Sequence, residues 1–150
     1  MPDKVAMSSD PHQLQIRPIH PDDIPALHAI LSHPAVARQT DLLTTREYSQ
    51  TAAEFQAAQT GLHRLVGILN GRVVAYGWLQ QITRPRMKHI ASPGLVVHPD
   101  HWGQGIGRRL FAVLLDLADN WLNTWRVELS LSPDNAAARH MAAAAGFMVE

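Results

Sequence analysis

The chain has 150 residues, of which 46 % are hydrophobic and 17 % charged, the balance of a globular domain with room for one core. Its 13 basic and 13 acidic residues cancel and form no long basic run, so we expect no nucleic-acid partner. Because it has no cysteine, no apolar run of about 18 residues and no signal core, we expect a cytoplasmic protein without disulfides, thiolate catalysis or a membrane partner.

The N-terminal segments predict a strand and a helix after a polar tail. Residues 1–12 are polar and contain two prolines, so we expect a disordered tail there and a single domain over residues 13–150. Leu14–Pro18 alternates between apolar and polar residues, which indicates a strand. Pro21–Leu31 is predicted to be a helix, because proline and acidic residues suit a first helical turn.

The middle of the chain predicts a second helix and a β-hairpin. The predicted segments are a loop (33–43), a helix (44–59) and two strands (63–69 and 72–80). Thr44 and Glu47 have the spacing of a capping box at the start of the helix. Asn70-Gly71 separates the two strands and is the strongest short signal for a hairpin turn.

The next strand is predicted over His89–His98, after a basic connection at Thr83–Lys88. The connection is either a solvated hairpin tip or a contact to an acidic ligand. Pro93-Gly94 interrupts the strand, and since proline cannot donate to a ladder, the pair indicates a bulge or a splayed edge.

Three alternating glycines, Gly103, Gly105 and Gly107, follow this strand and open a helix predicted over Ile106–Trp121. Glycine brings backbone amides close to a ligand, and the first amides of a helix favour an anion such as a phosphate. A Walker loop would need Gly-Lys-Ser/Thr, and a dinucleotide fingerprint would need a third glycine where Arg108 stands. A turn that merely caps the helix is the remaining alternative.

The C-terminal segments complete an alternating pattern. They are a strand (125–131), a turn that ends at Asn135, an alanine-rich helix (136–145), Gly146 as a helix-ending residue, and the start of a strand (147–150). The order β-α-α-β-β-β-α-β-α-β predicts an α/β fold with a mixed sheet.

The glycine-rich stretch resembles the acyl-coenzyme A pyrophosphate loop of the GNAT family of N-acetyltransferases. The similar features are a Val-Val-x-Pro strand end at Val96, the Gly-x-Gly-x-Gly turn and the amphipathic helix. A second similar stretch runs from Asp134-Asn135 through Ala138 and Met141 to Gly146-Phe147. The resemblance covers roughly residues 14 to 150 and implies a three-layer fold whose fourth strand is splayed.

The resemblance also implies which residues bind acetyl-CoA as co-substrate. The pantetheine arm would pair with the splayed strand, the glycine loop would hold the pyrophosphate, and the Asn135 side chain would hold the arm, although asparagine alone is also a common helix cap. The implied cofactor residues are Leu95, Val96, Val97, Gly103, Gln104, Gly105, Ile106, Gly107, Arg108 and Asn135.

Several stretches resemble the branch of the family that acetylates free amino acids. They are Arg84-Pro-Arg86, Asp119–Leu122 and Arg126–Leu129. The function implied is transfer of an acetyl group to the amine of a small molecule, with an amino acid as a candidate acceptor. The alternative is an acyl-CoA-binding module without catalysis.

The chain departs from the family pattern in three places. Trp102 stands where the family usually has glutamine or arginine, and Ala142 stands where it often has a tyrosine general acid. The final hairpin strand of the family is missing, so we expect either a truncated form or an open sheet edge covered by a partner, for which a homodimer is one expectation.

Without cysteine, the simplest mechanism is direct attack of the amine on the thioester in a ternary complex. The candidate general base is Glu128 on the fifth strand, whose alternative role is a salt bridge on the strand face. His98 could relay a proton through water, and His89 is a further candidate. His98 and His101 are the closest approach to a metal motif, and we expect no metal.

Overall fold

A five-stranded sheet with strand order β1-β2-β3-β4-β5 forms the middle layer of the fold. The computed structural model describes residues 13–40 and 44–149, and the tail predicted over residues 1–12 lies outside the described residues. The strands are β1 (Gln15–Pro18), β2 (Leu62–Leu69), β3 (Arg72–Gln81), β4 (Ile90–Val97) and β5 (Arg126–Val127). Neighbouring strands are antiparallel except β4 and β5, which are parallel, so the predicted mixed sheet is confirmed.

Helices cover both faces of this sheet. They are α1 (Ile24–Leu31), α2 (Pro34–Ala37), α3 (Tyr48–Gln56), α4 (Ile106–Asp116) and α5 (Ala136–Ala144), with single turns at Pro21–Asp23, Pro85–Met87, Pro99–His101 and Leu117–Trp121. On one face, Leu27 of α1 and Phe55 of α3 share an apolar cluster with Tyr76 of β3. On the other face, Leu110 of α4 shares a cluster with Val74. The α/β three-layer architecture is therefore as predicted.

The hairpin between β2 and β3 is formed by the turn that the sequence predicts. Asn70 and Gly71 both have positive φ angles, 53° and 78°, as a two-residue type I′ turn requires. Asparagine and glycine tolerate this conformation better than other residues do, so the turn fixes the register of the two strands.

Two predictions for the segment before β2 were wrong. The predicted loop over residues 33–43 contains the short helix α2, which begins with Pro34 and whose N-cap His33 accepts the amide N–H of Ala35 at Nδ1, 3.1 Å away; residues 41–43 lie outside the described residues. The next helix, α3, begins at Tyr48 rather than Thr44, with Glu47 as its N-cap. The reciprocal bond of that cap runs from the Glu47 amide to Gln50, not between Thr44 and Glu47.

The Pro93-Gly94 pair distorts the sheet by splaying and not by a bulge. β3 and β4 pair in continuous register from Ala75↔Val97 to Gln81↔Ala91, and a register shift occurs instead in β2, beside Gly67. β5 pairs with β4 only at its start, opposite Ile90 and Ala91. A gap therefore opens between the two parallel strands, beside the rest of β4.

The C-terminal third also differs from the sequence prediction. The predicted strand over residues 125–131 is reduced to Arg126–Val127, because β4 no longer lies alongside the later residues. The long predicted helix over residues 106–121 is α4 followed by a wider π-helical turn. Residues 147–149 are irregular rather than a strand, and Glu150 lies outside the described residues.

Candidate functional site

The glycine loop joins the end of β4 to the start of α4. Gly103 and Gly105 have φ angles of 76° and 82°, a left-handed conformation that residues with a Cβ rarely adopt. Gly105 is the N-cap of α4, so the first amides of the helix face the loop. A Cβ on Gly107 would lie 3.4 Å from Leu95 and 3.6 Å from Val97, so the helix packs closely on β4.

Alternate residues of β4 present their backbone groups to the gap beside β5. The amide of His98 donates to Val74 and the carbonyl of Ile90 accepts from Ile82, so the even-numbered residues of β4 bond to β3. The carbonyl of Ala91 accepts from the amide of Glu128, so the odd-numbered residues face β5. Beyond Ala91, the backbone of Leu95 and Val97 therefore faces the gap.

This alternation separates the three strand residues predicted to pair with a ligand. Leu95 and Val97 have backbone groups on the gap side, whereas the backbone of Val96 is directed to β3. Val96 also lines the cavity, and its side chain packs on the α1 face of the sheet. Pro93 is also gap-facing but has no N–H, so Leu95 carries the first gap-facing donor after Ala91.

The strand, the glycine loop and α5 enclose a cavity of about 440 Å³, a volume in the usual range of small-molecule sites. The structure brings nine of the ten predicted cofactor residues to its wall, namely Leu95, Val96, Val97, Gly103, Gly105, Ile106, Gly107, Arg108 and Asn135. Gln104 is the exception. Its side-chain Oε1 is buried and has no hydrogen-bond partner among the described residues.

Asn135 combines the two roles that the sequence leaves open for it. Its Oδ1 accepts the amide N–H of Ala138 at 3.1 Å and so caps α5. The same residue lines the cavity together with Ala138 and Met141. Because the cap uses one lone pair of Oδ1, Asn135 can offer a ligand the two N–H donors of Nδ2 and the second lone pair of Oδ1.

Trp102 lines the cavity and lies in the chain between β4 and the glycine loop. Its indole Nε1–H donates to the carbonyl of Val97 at 2.7 Å, and 42 % of the residue is exposed. The indole therefore occupies a position beside the gap-facing edge of β4.

The two predicted catalytic residues lie at opposite ends of β4. Glu128 follows the last β4–β5 pair and stands level with Ser92, whereas His98 lies about 20 Å further along the strand, at about 3.3 Å per residue. Glu128 is half exposed, and its Oε1 accepts from Nε of Arg126 at 2.7 Å. The salt bridge that the sequence leaves as an alternative is therefore formed.

The side chains of His98 and His89 both contact neighbouring groups of the protein. His98 accepts the amide N–H of Asp100 at Nδ1, and its ring contacts that of His33 edge-on with centroids 5.5 Å apart. His89 packs against Trp125, with ring centroids 5.9 Å apart, and its carbonyl accepts from the start of β5.

Residues that the sequence analysis did not single out lie around Glu128. Gln80 pairs with Ser92, and Ser92 stands beside Glu128, so these three polar residues form a row on one face, from β3 across β4 to the residue that follows β5. Ser92 and Glu128 also line a wider groove of about 1550 Å³ beyond β5. The period of two in β4 could have placed Ser92 on this face, but its proximity to Glu128 depends on the strand pairing.

An aromatic wall lies next to this row. Trp78 is paired with Gly94 and stacks on Tyr76 with ring centroids 5.2 Å apart, and Tyr76 contacts Phe55 edge-on. Burial raises the pKa of Tyr76 to about 12, so its hydroxyl stays neutral near pH 7. The wall is therefore an uncharged surface.

Residues 13–40 and 44–149 contain neither a metal-ligand cluster nor a membrane-spanning helix. No group of three or more histidine, aspartate or glutamate side chains is placed there to hold a metal ion. None of the helices described is long and apolar enough to cross a membrane.

Comparisons with known sequences identify the family of the chain. A sequence model of the acetyltransferase (GNAT) family matches residues 25–147. The L-amino acid N-acetyltransferase AaaT of Escherichia coli (strain K12) is 29 % identical over 138 residues, which are 92 % of this chain and 85 % of that protein.

Solved structures give the same result for the fold. The structure of yncA from Salmonella typhimurium with its cofactor acetyl-CoA is 25 % identical, with a TM-score of 0.77 over 91 % of this chain and 80 % of that one. The ribosomal-protein-alanine N-acetyltransferase of Brucella melitensis is 24 % identical, with a TM-score of 0.75 over 89 % and 84 % of the two chains. Since the family model matches most of the chain, the protein belongs to the GNAT family of acetyltransferases and is an acyltransferase.

Proposed function

We propose that the protein transfers the acetyl group of acetyl-CoA to the amine of a small molecule, and that free amino acids are the acceptor class. The observation that carries the proposal is the cavity that joins the gap-facing edge of β4 to the glycine loop and Asn135. It combines backbone groups for an amide-containing arm with a helix N-terminus for a diphosphate.

The chemistry of the wall fits acetyl-CoA. The left-handed glycines expose amides at the start of α4, and Arg108 adds a full positive charge on the cavity wall. The gap beside Leu95 and Val97 takes an extended arm in the manner of an added strand. In this arrangement the pyrophosphate lies at the loop, and the thioester lies toward Ser92, where β5 meets β4.

Leu95 is the proposed oxyanion donor. Its N–H faces the gap, and Pro93 supplies none, so the thioester carbonyl nearest the β5 end would be polarised by this single strand amide. The amine nitrogen forms a bond to the carbonyl carbon, the carbon–sulfur bond breaks, and the leaving thiolate takes a proton from water in the open gap.

Glu128 is the proposed general base that takes the proton of the amine. It stands at the end of β4 where the thioester would lie, whereas His98 lies near the loop end of the cofactor site. Nε of Arg126 donates to the Glu128 carboxylate at 2.7 Å and so holds that carboxylate in position. His98 and His89 are less well placed, because Nδ1 of His98 already accepts the amide N–H of Asp100 and the His89 ring packs against Trp125.

The acceptor class rests on charge around this end of the sheet. The connection from β3 to β4 carries Arg84, Arg86 and Lys88, and it begins just beyond the Ile82–Ile90 hydrogen bond. That bond lies about 7 Å along β4 from Ser92 at strand spacing. An amino acid would place its ammonium group near Glu128 and its carboxylate near these basic residues, and the relative from Escherichia coli is described as acting on L-amino acids.

The proposal also includes a cytoplasmic location and a homodimer. A chain without cysteine needs no oxidising compartment. Trp125 is 80 % exposed beside the short strand β5, which supports a partner at that edge. A native mass measurement with acetyl-CoA reports the oligomeric state and the bound ligand together.

The test compares two glycine variants in a thiol-release assay over a panel of amino acids and polyamines. Gly105→Glu places a negative side chain at the loop and should abolish coenzyme A binding and turnover. Gly71→Glu is the matched control, because Gly71 has a similar φ of 78° but lies at the hairpin tip, away from the cavity. Normal coenzyme A binding by Gly105→Glu would overturn the cofactor assignment.

The same assay tests the base and the acceptor. Glu128→Gln should lower kcat by about 100- to 10,000-fold with little change in the KM for acetyl-CoA. Asp119→Asn, in the same groove but on the turn after α4, is the control and should retain activity. Full activity of Glu128→Gln would exclude Glu128 as the base, and turnover of polyamines alone would exclude amino acids as the acceptor class.

A further inference from the structure

The bond between Trp102 and Val97 has a consequence for how the cofactor arm is held. The inference rests on the proposed acyl-CoA site. The gap-facing carbonyl groups of β4 beyond Ala91 belong to Pro93, Leu95 and Val97, as the hydrogen-bond alternation with β3 shows. Of these three, the carbonyl of Val97 is already bonded at 2.7 Å to the indole N–H of Trp102.

The position of Val97 makes this bond relevant to the ligand. Val97 lines the cavity together with Trp102 and lies at the end of the strand next to the glycine loop. A pantetheine arm that leaves the diphosphate at the loop meets Val97 before it reaches Leu95. Its amide N–H groups need acceptors on the strand, and this acceptor is occupied by the indole.

We propose that the indole N–H of Trp102 competes with an amide N–H of the acyl-CoA arm for the Val97 carbonyl, and so sets how tightly the arm is held. Trp102 is thus a positioning residue for the cofactor. When the arm binds, the indole leaves the Val97 carbonyl. The loss of that hydrogen bond weakens binding relative to a site in which the carbonyl is available.

The experiment is a calorimetric titration of the Trp102→Phe variant with coenzyme A and with adenosine 3′,5′-bisphosphate. Phenylalanine keeps an aromatic ring but removes the N–H donor. Because a net hydrogen bond changes an equilibrium by about 2- to 10-fold, coenzyme A should bind Trp102→Phe more tightly by that factor. The bisphosphate has no arm, so its affinity should not change.

Trp125→Phe is the matched control, because Trp125 is exposed and lies outside this cavity; it should bind both ligands like the wild-type protein. Equal or weaker binding of coenzyme A by Trp102→Phe would overturn the inference. If the wild-type protein bound no coenzyme A, the proposed function would fail and this inference with it. If the wild-type protein bound coenzyme A but Trp102→Phe bound it no more tightly, only this inference would fail.

A second measurement uses the wild-type protein and does not depend on how a variant folds. The protein has four tryptophans, and the indole resonance of Trp102 in a nitrogen-15 NMR spectrum is the one that the Trp102→Phe variant lacks. Saturation with coenzyme A should shift this resonance and speed its exchange with solvent, while the Trp125 resonance stays in place. An unchanged Trp102 resonance at saturation would overturn the inference.

Discussion

Gly94 is required by the close approach of a side chain from the neighbouring strand. A Cβ at this position would lie 2.1 Å from the indole ring of Trp78. The indole cannot retreat easily, because it is paired with Gly94 across β3 and β4 and stacks on Tyr76. The glycine thus allows an aromatic wall to cover β4 beside the proposed thioester position.

We expect Gly94→Ala to lower the free energy of unfolding by about 1–3 kcal/mol, because an added methyl group would displace the indole from a packed position. Urea unfolding of four proteins measures the effect: wild type, Gly94→Ala, Trp78→Phe and the double variant. The smaller phenyl ring should accommodate the methyl group, so the double variant should be more stable than the sum of the single costs predicts. Additive costs would show that Trp78 does not limit residue 94.

At the scale of elements, an ion pair joins β1 to the start of α1. Arg17 donates to both carboxylate oxygens of Asp23, at 2.8 and 2.9 Å, and the amide of His20 donates to the same carboxylate. Asp23 is buried, and the hydrogen bonds from Arg17 hold the pKa of its carboxyl below the ordinary value. The charged carboxylate is therefore the form that stabilises the fold.

The pH dependence of stability follows from the lowered pKa of Asp23. A lowered pKa in the folded state contributes stability above the unfolded pKa of about 3.9, and this stability is lost as the pH falls through the folded value. Asp23→Asn should cost about 1–3 kcal/mol near pH 7 and should flatten the decline of stability below about pH 4. Urea unfolding from pH 7 to pH 2 measures this, with the exposed neighbour variant Asp22→Asn as control; equal acid sensitivity of Asp23→Asn and wild type would contradict it.

The elements that the sequence predicts correctly are those with local causes. The Asn70-Gly71 turn needs positive φ angles that these two residues supply, and Gly105 does the same at the start of α4. β5 fails as a seven-residue strand because a strand needs a neighbour, and β4 has splayed away after Ala91. Helix α3 begins later than predicted because its cap is formed by Glu47 and Gln50 and not by Thr44 and Glu47.

The candidate site also has some features that the sequence predicts and others that depend on the folded structure. The glycine loop and Asn135 are predictable because a backbone angle and a helix cap depend on a few adjacent residues. The distinction between Val96 and its neighbours Leu95 and Val97 depends on the register of β3 against β4. The bond from Trp102 to Val97 depends on a side-chain orientation that no sequence period specifies.

At the scale of the whole molecule, α5 is a wall of the cavity that buries little of its own surface. Ala142 is the one residue of α5 that is buried, and the segment after the helix adds a ring contact between Phe147 and Phe111 with centroids 5.8 Å apart. α4 on the other side of the loop buries Ile106, Leu110, Phe111 and Leu114. A ligand that contacts both β4 and Asn135 would therefore add contacts that hold α5 against the sheet.

Hydrogen exchange should report this coupling. Without ligand, the amides of α5 should exchange faster than those of α4, because a helix with little buried area opens locally at low cost. If the opened form cannot bind coenzyme A, a ligand at 100 times its Kd contributes about 2.7 kcal/mol to closure and slows exchange in α5 by about 100-fold. Gly105→Glu provides the control protein, in which coenzyme A should cause no slowing. Exchange in α5 that stayed unchanged at saturating coenzyme A would mean that the ligand does not bridge the sheet and this helix.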